Sequence, residues 1–328
     1  MAQVTRRVAM AWLAAGAATV SAAGSAGAGE PDWPATLTIA TASPGGTYFV
    51  YGEALARLLG RELRMPVAAR ATGGPGENIA LLDEGKADIA FVTLGVAAQA
   101  WDGTAPWSEG REVRSFRAIF PMYDTPFHFI VPKSSPVQSL ADLAGRRIGV
   151  GPAGGTGATY GPALLGTLGI EGEYVEGAWE DLEAAMEAGE IDSLAVAAGA
   201  PFPAVSALEA KGEARFLPVT PEQVVQLRLA FPELGASTIP AGTYASLMRG
   251  YDTVGLFNFA VARADLPMDL VEAILAAVFK NSDELVAAHP AAAATAPRNF
   301  TRNTFLPYHP GAARYYTRQV VPGTMLAD

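Results

Sequence analysis

The chain has 328 residues, of which half are apolar and 17% are charged, and its net charge at pH 7 is −10. This composition is typical of a folded globular protein, and the length favours two α/β lobes with a linker over one small core. The acidic balance, without any Lys/Arg-rich cluster, argues against nucleic-acid binding and against docking on anionic lipid.

The N-terminal segment has the three parts of a secretory signal. Arg6 and Arg7 precede an apolar run at residues 8–20, and the small residues Ala26-Gly27-Ala28 follow. We therefore expect residues 1–28 to be a signal peptide, which exports the chain through Sec or, given Thr5-Arg6-Arg7, through Tat. The chain contains no cysteine, so a lipoprotein anchor, a disulfide and a thiolate nucleophile are excluded. The sequence predicts a periplasmic protein without membrane insertion.

Strand and helix patterns alternate along the rest of the chain, which predicts parallel sheets with helices as crossover connections. The first predicted strands are residues 37–41, 66–71 and 88–93, and the first helices are residues 48–59, ended by Gly60, and 77–84, ended by Gly85. Further strand–helix patterns occupy residues 142–169 and 184–198, and a long helix is predicted at residues 268–288. Apolar runs at residues 127–131 and 254–261 are predicted to cross between lobes. Lobe one is then residues 33–125 plus 262–328, and lobe two is residues 126–261.

One phrase occurs twice with the same spacing. Gly45-Gly46-Thr47 is followed by Tyr51-Gly52, Ala54-Leu55 and Leu59-Gly60, and the second copy runs from Gly154 to Gly169. Each copy follows an apolar stretch and opens a helical pattern, so each predicts a strand, a glycine turn and a helix. Backbone N–H groups at such helix starts bind anions. Two lobes that each direct a helix start at a ligand would form a clamp.

Catalytic chemistry is not visible in the sequence. The chain has three histidines, and two of them precede proline, where a turn residue is expected. No metal-ligand spacing, no Gly-x-Ser-x-Gly elbow and no phosphate-binding Gly-x-x-x-x-Gly-Lys loop occurs. We therefore expect no catalytic residue, no metal and no cofactor, and we do not expect an enzyme.

Three glycine loops open helices and carry neutral hydrogen-bonding groups, as expected where ligands bind at the carboxyl ends of parallel strands. An alternative is that they are ordinary turns whose Ser and Thr cap helices. Arg70 ends a strand and either pairs with a carboxylate or is a solvated charge, and aromatic residues would form a wall for the ligand's carbon skeleton. The predicted ligand-binding residues are Ser43, Gly46, Thr47, Tyr48, Arg70, Thr72, Gly74, Asn78, Thr93, Tyr123, Thr156 and Phe202.

Seven phrases occur in the order typical of one family. They are Ser-Pro-Gly-Gly-Thr-Tyr at residues 43–48, Ala-Thr-Gly-Gly-Pro-Gly-Glu-Asn at 71–78, Gly-Lys-Ala-Asp-Ile-Ala-Phe-Val at 85–92, Ile-Pro-Ala-Gly-Thr-Tyr at 239–244, Asp-Leu-Pro at 265–267, Ala-His-Pro at 288–290 and His-Pro-Gly-Ala-Ala-Arg-Tyr-Tyr at 309–316. In these phrases, which span nearly all of residues 36–320, the chain resembles the TAXI family (TRAP-associated extracytoplasmic immunogenic proteins).

The resemblance implies a two-lobe periplasmic-binding-protein fold of type II-like form, which closes on a small carboxylate such as glutamate or 2-oxoglutarate. It implies ligand contacts near Thr93 and in the loops at residues 43–48, 72–78 and 152–159. It also implies delivery of the ligand to a TRAP-type membrane permease, with uptake driven by an ion gradient. We expect a monomer. A receptor that signals to a sensor kinase and a periplasmic enzyme remain alternatives.

Three departures from the family's phrases remove polar or charged groups. Gly155-Thr156-Gly157-Ala158 stands where members carry a Ser-Gly-Thr-Arg-like phrase, and Thr93-Leu94 stands where they often carry Gln. Phe202 replaces the amide of a Gly-Val-Pro-Asn-Pro phrase at residues 199–203. These departures predict a ligand that is smaller or more apolar than glutamate.

Overall fold

The computed structural model describes residues 32–211 and 214–319. The predicted signal peptide lies outside the described residues. Residues 33–319 belong to one compact unit. Within the described part of the chain, no helix combines the length and the apolar character needed to cross a membrane.

Among the described residues, ten strands form one curled sheet in the order β2-β1-β3-β10-β4-β7-β5-β6, with β8 paired to β4 and β9 paired to β10. The strands are β1 (Leu37–Ala40), β2 (Val67–Arg70), β3 (Ile89–Thr93), β4 (Phe116–Pro132), β5 (Arg147–Gly151), β6 (Glu173–Glu176), β7 (Ser193–Ala197), β8 (Ala214–Phe216), β9 (Gly235–Ile239) and β10 (Tyr251–Arg263). β1 is parallel to β2 and β3, and β5 is parallel to β6 and β7. Two parallel groups are therefore joined through the antiparallel pair β4 and β10.

The helices flank this sheet. They are α1 (Thr47–Leu63), α2 (Pro75–Asp83), α3 (Leu94–Trp101), α4 (Thr156–Thr167), α5 (Trp179–Glu187), α6 (Pro203–Ala210), α7 (Pro221–Ala230), α8 (Met268–Lys280), α9 (Ser282–Ala288) and α10 (Pro310–Gln319). In the part of the chain that the structure describes, two apolar clusters form the core, and one of them packs α1, α8 and α10 against the strands assigned to lobe one. The predicted α/β class, with parallel sheets joined by two crossing strands, is confirmed, whereas the lobe boundaries stay a prediction.

Several element ends differ from the sequence prediction. α1 continues through Gly60 to Leu63, because Leu63 packs on the core and this burial outweighs the roughly 1 kcal/mol cost of a helix-interior glycine. β4 begins at Phe116 and is 17 residues long, because almost every residue on both of its faces is buried. The predicted helix at residues 268–288 is two helices, which meet at the non-helical Asn281.

The two copies of the repeated phrase pack differently at their third glycine, which is Gly52 in α1 and Gly161 in α4. A Cβ atom at Gly52 would overlap the methyl group of Thr41, which is fully buried. A Cβ atom at Gly161 would lie 3.4 Å from Val150 Cγ1, an ordinary contact. Glycine is therefore required by packing in α1 but not in α4.

We expect Gly52→Ala to lower the free energy of unfolding by about 1–3 kcal/mol, because it overpacks the contact between α1 and Thr41. The matched variant Gly166→Ala in α4 should be neutral or raise it by up to about 1 kcal/mol, because no atom lies within 4 Å of the added Cβ atom and alanine favours the helix over glycine. Urea denaturation followed by circular dichroism measures both. Equal changes in the two variants would contradict this packing difference.

Candidate functional site

A cavity of about 60 Å³ lies where β1, β5 and β7 end and where α1, α4 and α5 begin. This is the position expected for a ligand site in an open α/β sheet. Both predicted lobes supply its walls. The lining residues are Ala42, Ser43, Gly46, Thr47, Tyr48, Gly73, Gly74, Pro75, Tyr123, Thr125, Val150, Pro152, Gly155, Thr156, Gly157, Trp179, Ala197, Ala198, Gly199 and Phe202.

Eight of the twelve predicted ligand-binding residues line this cavity. They are Ser43, Gly46, Thr47, Tyr48, Gly74, Tyr123, Thr156 and Phe202. The other four predicted residues, Arg70, Thr72, Asn78 and Thr93, are not among the lining residues. Ligand contact by any of these twelve residues stays a prediction.

Both helices of the repeated phrase begin without a side-chain cap. The N-cap residues are Gly46 for α1 and Gly155 for α4, and neither makes a side-chain cap hydrogen bond. Among the described residues, the N–H groups of Thr47, Tyr48, Thr156 and Gly157 have no backbone acceptor, and all four residues line the cavity. The alternative that Ser and Thr cap these helices is wrong for α1 and α4. Two helix starts therefore present unpaired donors and the positive ends of their dipoles to one cavity.

The cavity lining carries no ionisable acidic or basic side chain. Burial raises the pKa of the Tyr48 and Tyr123 hydroxyl groups well above the ordinary value, so both are neutral. The Tyr123 hydroxyl is buried and has no hydrogen-bond partner in the described part of the chain. In the same residues, no group of three or more His, Asp or Glu could hold a metal ion.

The two predicted lobes touch, so the cleft between them is closed. Thr47 Oγ1 donates to the Gly199 carbonyl oxygen at 3.0 Å, and Thr93 Oγ1 lies 3.3 Å from Thr156 Oγ1. Gly76 N–H donates to the Gly154 carbonyl oxygen at 3.1 Å. Thr47 and Thr93 thus use their hydroxyl groups for contact between lobes.

Beside the cavity, two glycine loops meet backbone to backbone in what we call the glycine seam, residues 73–76 and 153–155. A Cβ atom at Gly74 would lie 3.0 Å from Gly155 Cα, and one at Gly73 would lie 2.8 Å from the Ala153 carbonyl oxygen. Gly74 also has a φ of 135°, which other residues rarely adopt. Closure at this seam therefore depends on the absence of side chains.

Arg70 lies at the exposed end of β2 and does not line the cavity. Pairing of its guanidinium with a ligand carboxylate is therefore not favoured by the structure. Its position matches the alternative of a solvated strand-end charge, because β2 is the outer strand of the parallel group in lobe one.

Asn78 braces the loop before α2 from inside the protein. Its Nδ2 group donates to the carbonyl oxygens of Thr41 and Phe91 at 2.7 and 2.8 Å. Its Oδ1 atom accepts from Thr72 Oγ1 at 2.7 Å. Both amide hydrogens are used, so Asn78 and Thr72 hold the glycine loop in place and have no donor left for a ligand.

Asn258 connects the crossing strands to the cavity wall and is not among the residues predicted from the sequence. Its Nδ2 group donates to the Tyr123 carbonyl oxygen at 2.7 Å and to Thr125 Oγ1 at 2.6 Å, while its Oδ1 atom accepts from the Tyr48 hydroxyl at 2.6 Å. Asn258 is fully buried in β10. A single amide inside the apolar run at residues 254–261 was the available signal, since a buried amide requires partners.

The aromatic wall contains Trp179, which was also missed. Trp179 begins α5 after strand β6, and its ring packs against Phe202 with centroids 5.2 Å apart and planes at 74°. Ligand sites lie where a helix begins after a parallel strand, and this rule, which predicted the glycine loops, also applies to Trp179.

Phe202 is held by a chain of hydrogen bonds that begins at His128. His128 Nδ1 lies 3.0 Å from the Pro126 carbonyl oxygen, which can only accept, so Nδ1 carries the proton. His128 Nε2 then accepts from the Tyr244 hydroxyl at 2.9 Å, and the Tyr244 oxygen accepts from Phe202 N–H at 2.7 Å. This chain positions one wall of the cavity from a distance.

A neutral cavity at the ends of parallel strands, with two helix starts at its wall, is the site expected in an α/β fold of the binding-protein class. The chain belongs to the NMT1-like family, which it matches over residues 39–319.

Solved structures of binding proteins share the fold. One is MatC from Rhodopseudomonas palustris with bound malate, at a TM-score of 0.58 and 16% identity, with 87% of this chain and 98% of that chain covered. Another is the periplasmic binding protein BugD, at a TM-score of 0.56 and 14% identity, with 89% and 95% covered. A third is described as a periplasmic transporter, at a TM-score of 0.56 and 16% identity, with 86% and 94% covered. The predicted binding-protein fold is thereby confirmed.

We expect Asn78→Ala to lower the free energy of unfolding by about 2–4 kcal/mol, because three buried hydrogen bonds are lost together. Asn299→Ala is the matched control, since Asn299 Nδ2 makes one bond to the half-buried Ala294 carbonyl oxygen. That variant should lose at most about 1 kcal/mol. Urea denaturation midpoints measure both. A change at Asn78 no larger than at Asn299 would show that the brace does not stabilise the fold.

The buried His128 makes the stability depend on pH. Desolvation lowers the pKa of its imidazole to about 4, whereas an unfolded histidine has a pKa of about 6.5. Between these values the folded state binds fewer protons than the unfolded state. The free energy of unfolding therefore falls as the pH is lowered from about 6.5 to about 4, by up to about 3 kcal/mol for this residue. In His128→Gln the pH slope in this window should be smaller. Thermal unfolding at several pH values measures it, and an unchanged slope would contradict the assignment.

Proposed function

We propose that this chain is an extracytoplasmic solute-binding receptor that captures a small carboxylate in the closed cavity and delivers it to a TRAP-type membrane permease. The observation that carries the proposal is the pair of uncapped helix starts, α1 and α4, at one neutral cavity. Their four unpaired N–H groups can hold a carboxylate without a salt bridge.

The neighbourhood of the cavity supports binding rather than chemistry. Its lining offers no acid, base or thiol, and the three histidines of the chain do not line it. The buried Tyr123 hydroxyl without a partner is an incomplete hydrogen bond that a bound molecule could complete. A cleft that is closed by contacts between lobes gives the receptor a state that reports occupancy to a partner.

The membrane partner and the location rest on the sequence. The signal-like segment at residues 1–28 supports a periplasmic location, and the TAXI phrases support a TRAP permease as the partner. Glutamate and 2-oxoglutarate are the ligands that the resemblance suggests, while the neutral lining favours a smaller or more apolar acid. We propose that the receptor works as a monomer.

Thr156 allows a direct test of the helix-start donors. Thr156 is the first residue of α4, where proline is tolerated, and Gly155 before it has the extended conformation that proline requires. Thr156→Pro removes one N–H donor and the hydroxyl, and Thr156→Val removes the hydroxyl alone.

We expect Thr156→Pro to weaken carboxylate binding by about 10–100-fold, because a hydrogen bond to a charged group is lost. Thr156→Val should weaken it by about threefold or less, since the N–H donor remains. Titration calorimetry with a panel of organic and amino acids measures both affinities. If both variants lose affinity by the same factor, the N–H groups at the helix starts do not bind the carboxylate.

Whether the protein chemically converts the bound acid distinguishes an enzyme from a receptor. An acid recovered chemically unchanged after incubation with the protein supports the receptor, and its conversion would overturn the proposal. Uptake that requires both this chain and a multi-span permease supports transport. Binding without such uptake would favour a receptor that signals to a sensor kinase.

A further inference from the structure

The end of the cavity in lobe two is formed by two aromatic rings, Trp179 and Phe202. Both residues line the cavity, and their rings meet edge to face with centroids 5.2 Å apart. Phe202 is 1% exposed. Edge-to-face packing of this kind fixes the relative position of two rings. The pair therefore gives the cavity an apolar aromatic surface, which we call the aromatic wall, beside the polar helix starts that line the same cavity.

This wall is held from behind on both sides. Gly151 has a φ of 87°, and a Cβ atom there would overlap the Trp179 ring, so the indole packs directly against backbone. Phe202 N–H is held by the Tyr244 hydroxyl, which is itself fixed by His128. Phe202 therefore has little room to move when a longer ligand enters, and the backbone of Gly151 limits movement of the half-buried Trp179 ring on that side.

The rest of the lining excludes a second charge on the ligand. No Asp or Glu lines the cavity to pair with an ammonium group, and no Lys or Arg lines it to pair with a second carboxylate. A charged group that is buried without a partner is strongly disfavoured. The helix starts can stabilise one carboxylate, and the remainder of the ligand must then be uncharged.

The cavity volume favours a short ligand. A volume of about 60 Å³, at about 10–15 Å³ for each water-sized group, holds about four to six such groups. A carboxylate accounts for three of them. The remaining space holds about one to three further atoms.

We propose that the receptor selects monocarboxylates with a short uncharged carbon chain, of the size of acetate to butanoate, and that Trp179 and Phe202 set the chain length. This inference rests on the proposed carboxylate-binding function. It assigns the carboxylate to the starts of α1 and α4 and the end of the carbon chain to the aromatic wall. Amino acids and dicarboxylates are rejected because their second charge would be buried without a partner.

The test is a series of titrations with acetate, propanoate, butanoate, hexanoate, succinate and glutamate. Wild-type protein should bind propanoate and butanoate at least about 30-fold more tightly than hexanoate, which is too long for the cavity. It should bind succinate and glutamate at least about 100-fold more weakly than butanoate, because of their second charge.

Trp179→Ala should raise the affinity for hexanoate by about 10-fold and lower that for propanoate by about 10-fold, because the wall moves back. Trp179→Leu should shift both affinities in the same directions by smaller factors. This variant replaces Trp179→Ala in the test if the alanine variant does not fold. Trp101→Ala is the matched control. Its half-buried indole packs on Phe116 at 5.6 Å and does not line the cavity, so its loss should leave all six affinities unchanged.

Three outcomes decide between the proposals. If wild-type protein binds succinate or glutamate more tightly than butanoate, the receptor function stands and this inference is wrong. If the Trp179 variants weaken every acid by the same factor, the tryptophan supports the fold and does not set chain length. If the folded wild-type protein binds none of the six acids, the proposed carboxylate site fails together with the inference.

Discussion

Two helices start at glycine, without any side chain to satisfy their first N–H groups, and both starts meet at one small neutral cavity. Such groups are normally capped by Ser, Thr, Asp or Asn. Leaving them open costs stability when the cavity is empty, and an anion removes that cost. Most other features of the site serve this arrangement. The lining avoids charges that would compete, and Asn78, Asn258 and the His128–Tyr244 chain hold the loops from outside the cavity.

The bracing residues show how a neutral site can still be well ordered. Asn78 and Asn258 each make three hydrogen bonds, and each amide connects its own segment to at least two other segments of the chain. Fully satisfied buried networks of this kind specify one geometry, because any shift leaves several polar groups unpaired. The cavity wall is thus positioned by polar residues that are not part of it. The side chains that line the cavity are thus different from the side chains that hold its wall in position.

Much of this arrangement follows from local sequence patterns, and the rest depends on tertiary packing. The repeated glycine phrase predicts α1 and α4 and the loops that line the cavity, since glycine turns and helix starts are local features. The local sequence at the end of β2, at Arg70, resembles that at the end of β1, at Thr41. The order of strands in the sheet places β2 at its edge, and this order cannot be read from the local sequence. Trp179 and Asn258 come from segments far apart in the chain, and their roles depend on contacts between those segments. The length of β4 was missed because burial on both faces hides the alternating pattern of a strand.

The glycine seam has a consequence for the kinetics of opening. In the described part of the chain, every ion pair joins two residues of the same predicted lobe. The predicted lobes meet instead through bare backbone at residues 73–76 and 153–155, through threonine hydroxyl groups, and through the hydrogen bonds of His289 with the Pro201 carbonyl oxygen and of Ser237 with the Asp124 carboxylate. Most of these contacts join uncharged groups, which salt screens little, and the backbone and threonine contacts involve no long side chains that must be ordered again at each closure. The rate at which the lobes separate should therefore be set by the occupant of the cavity and hardly by the ionic strength around the protein.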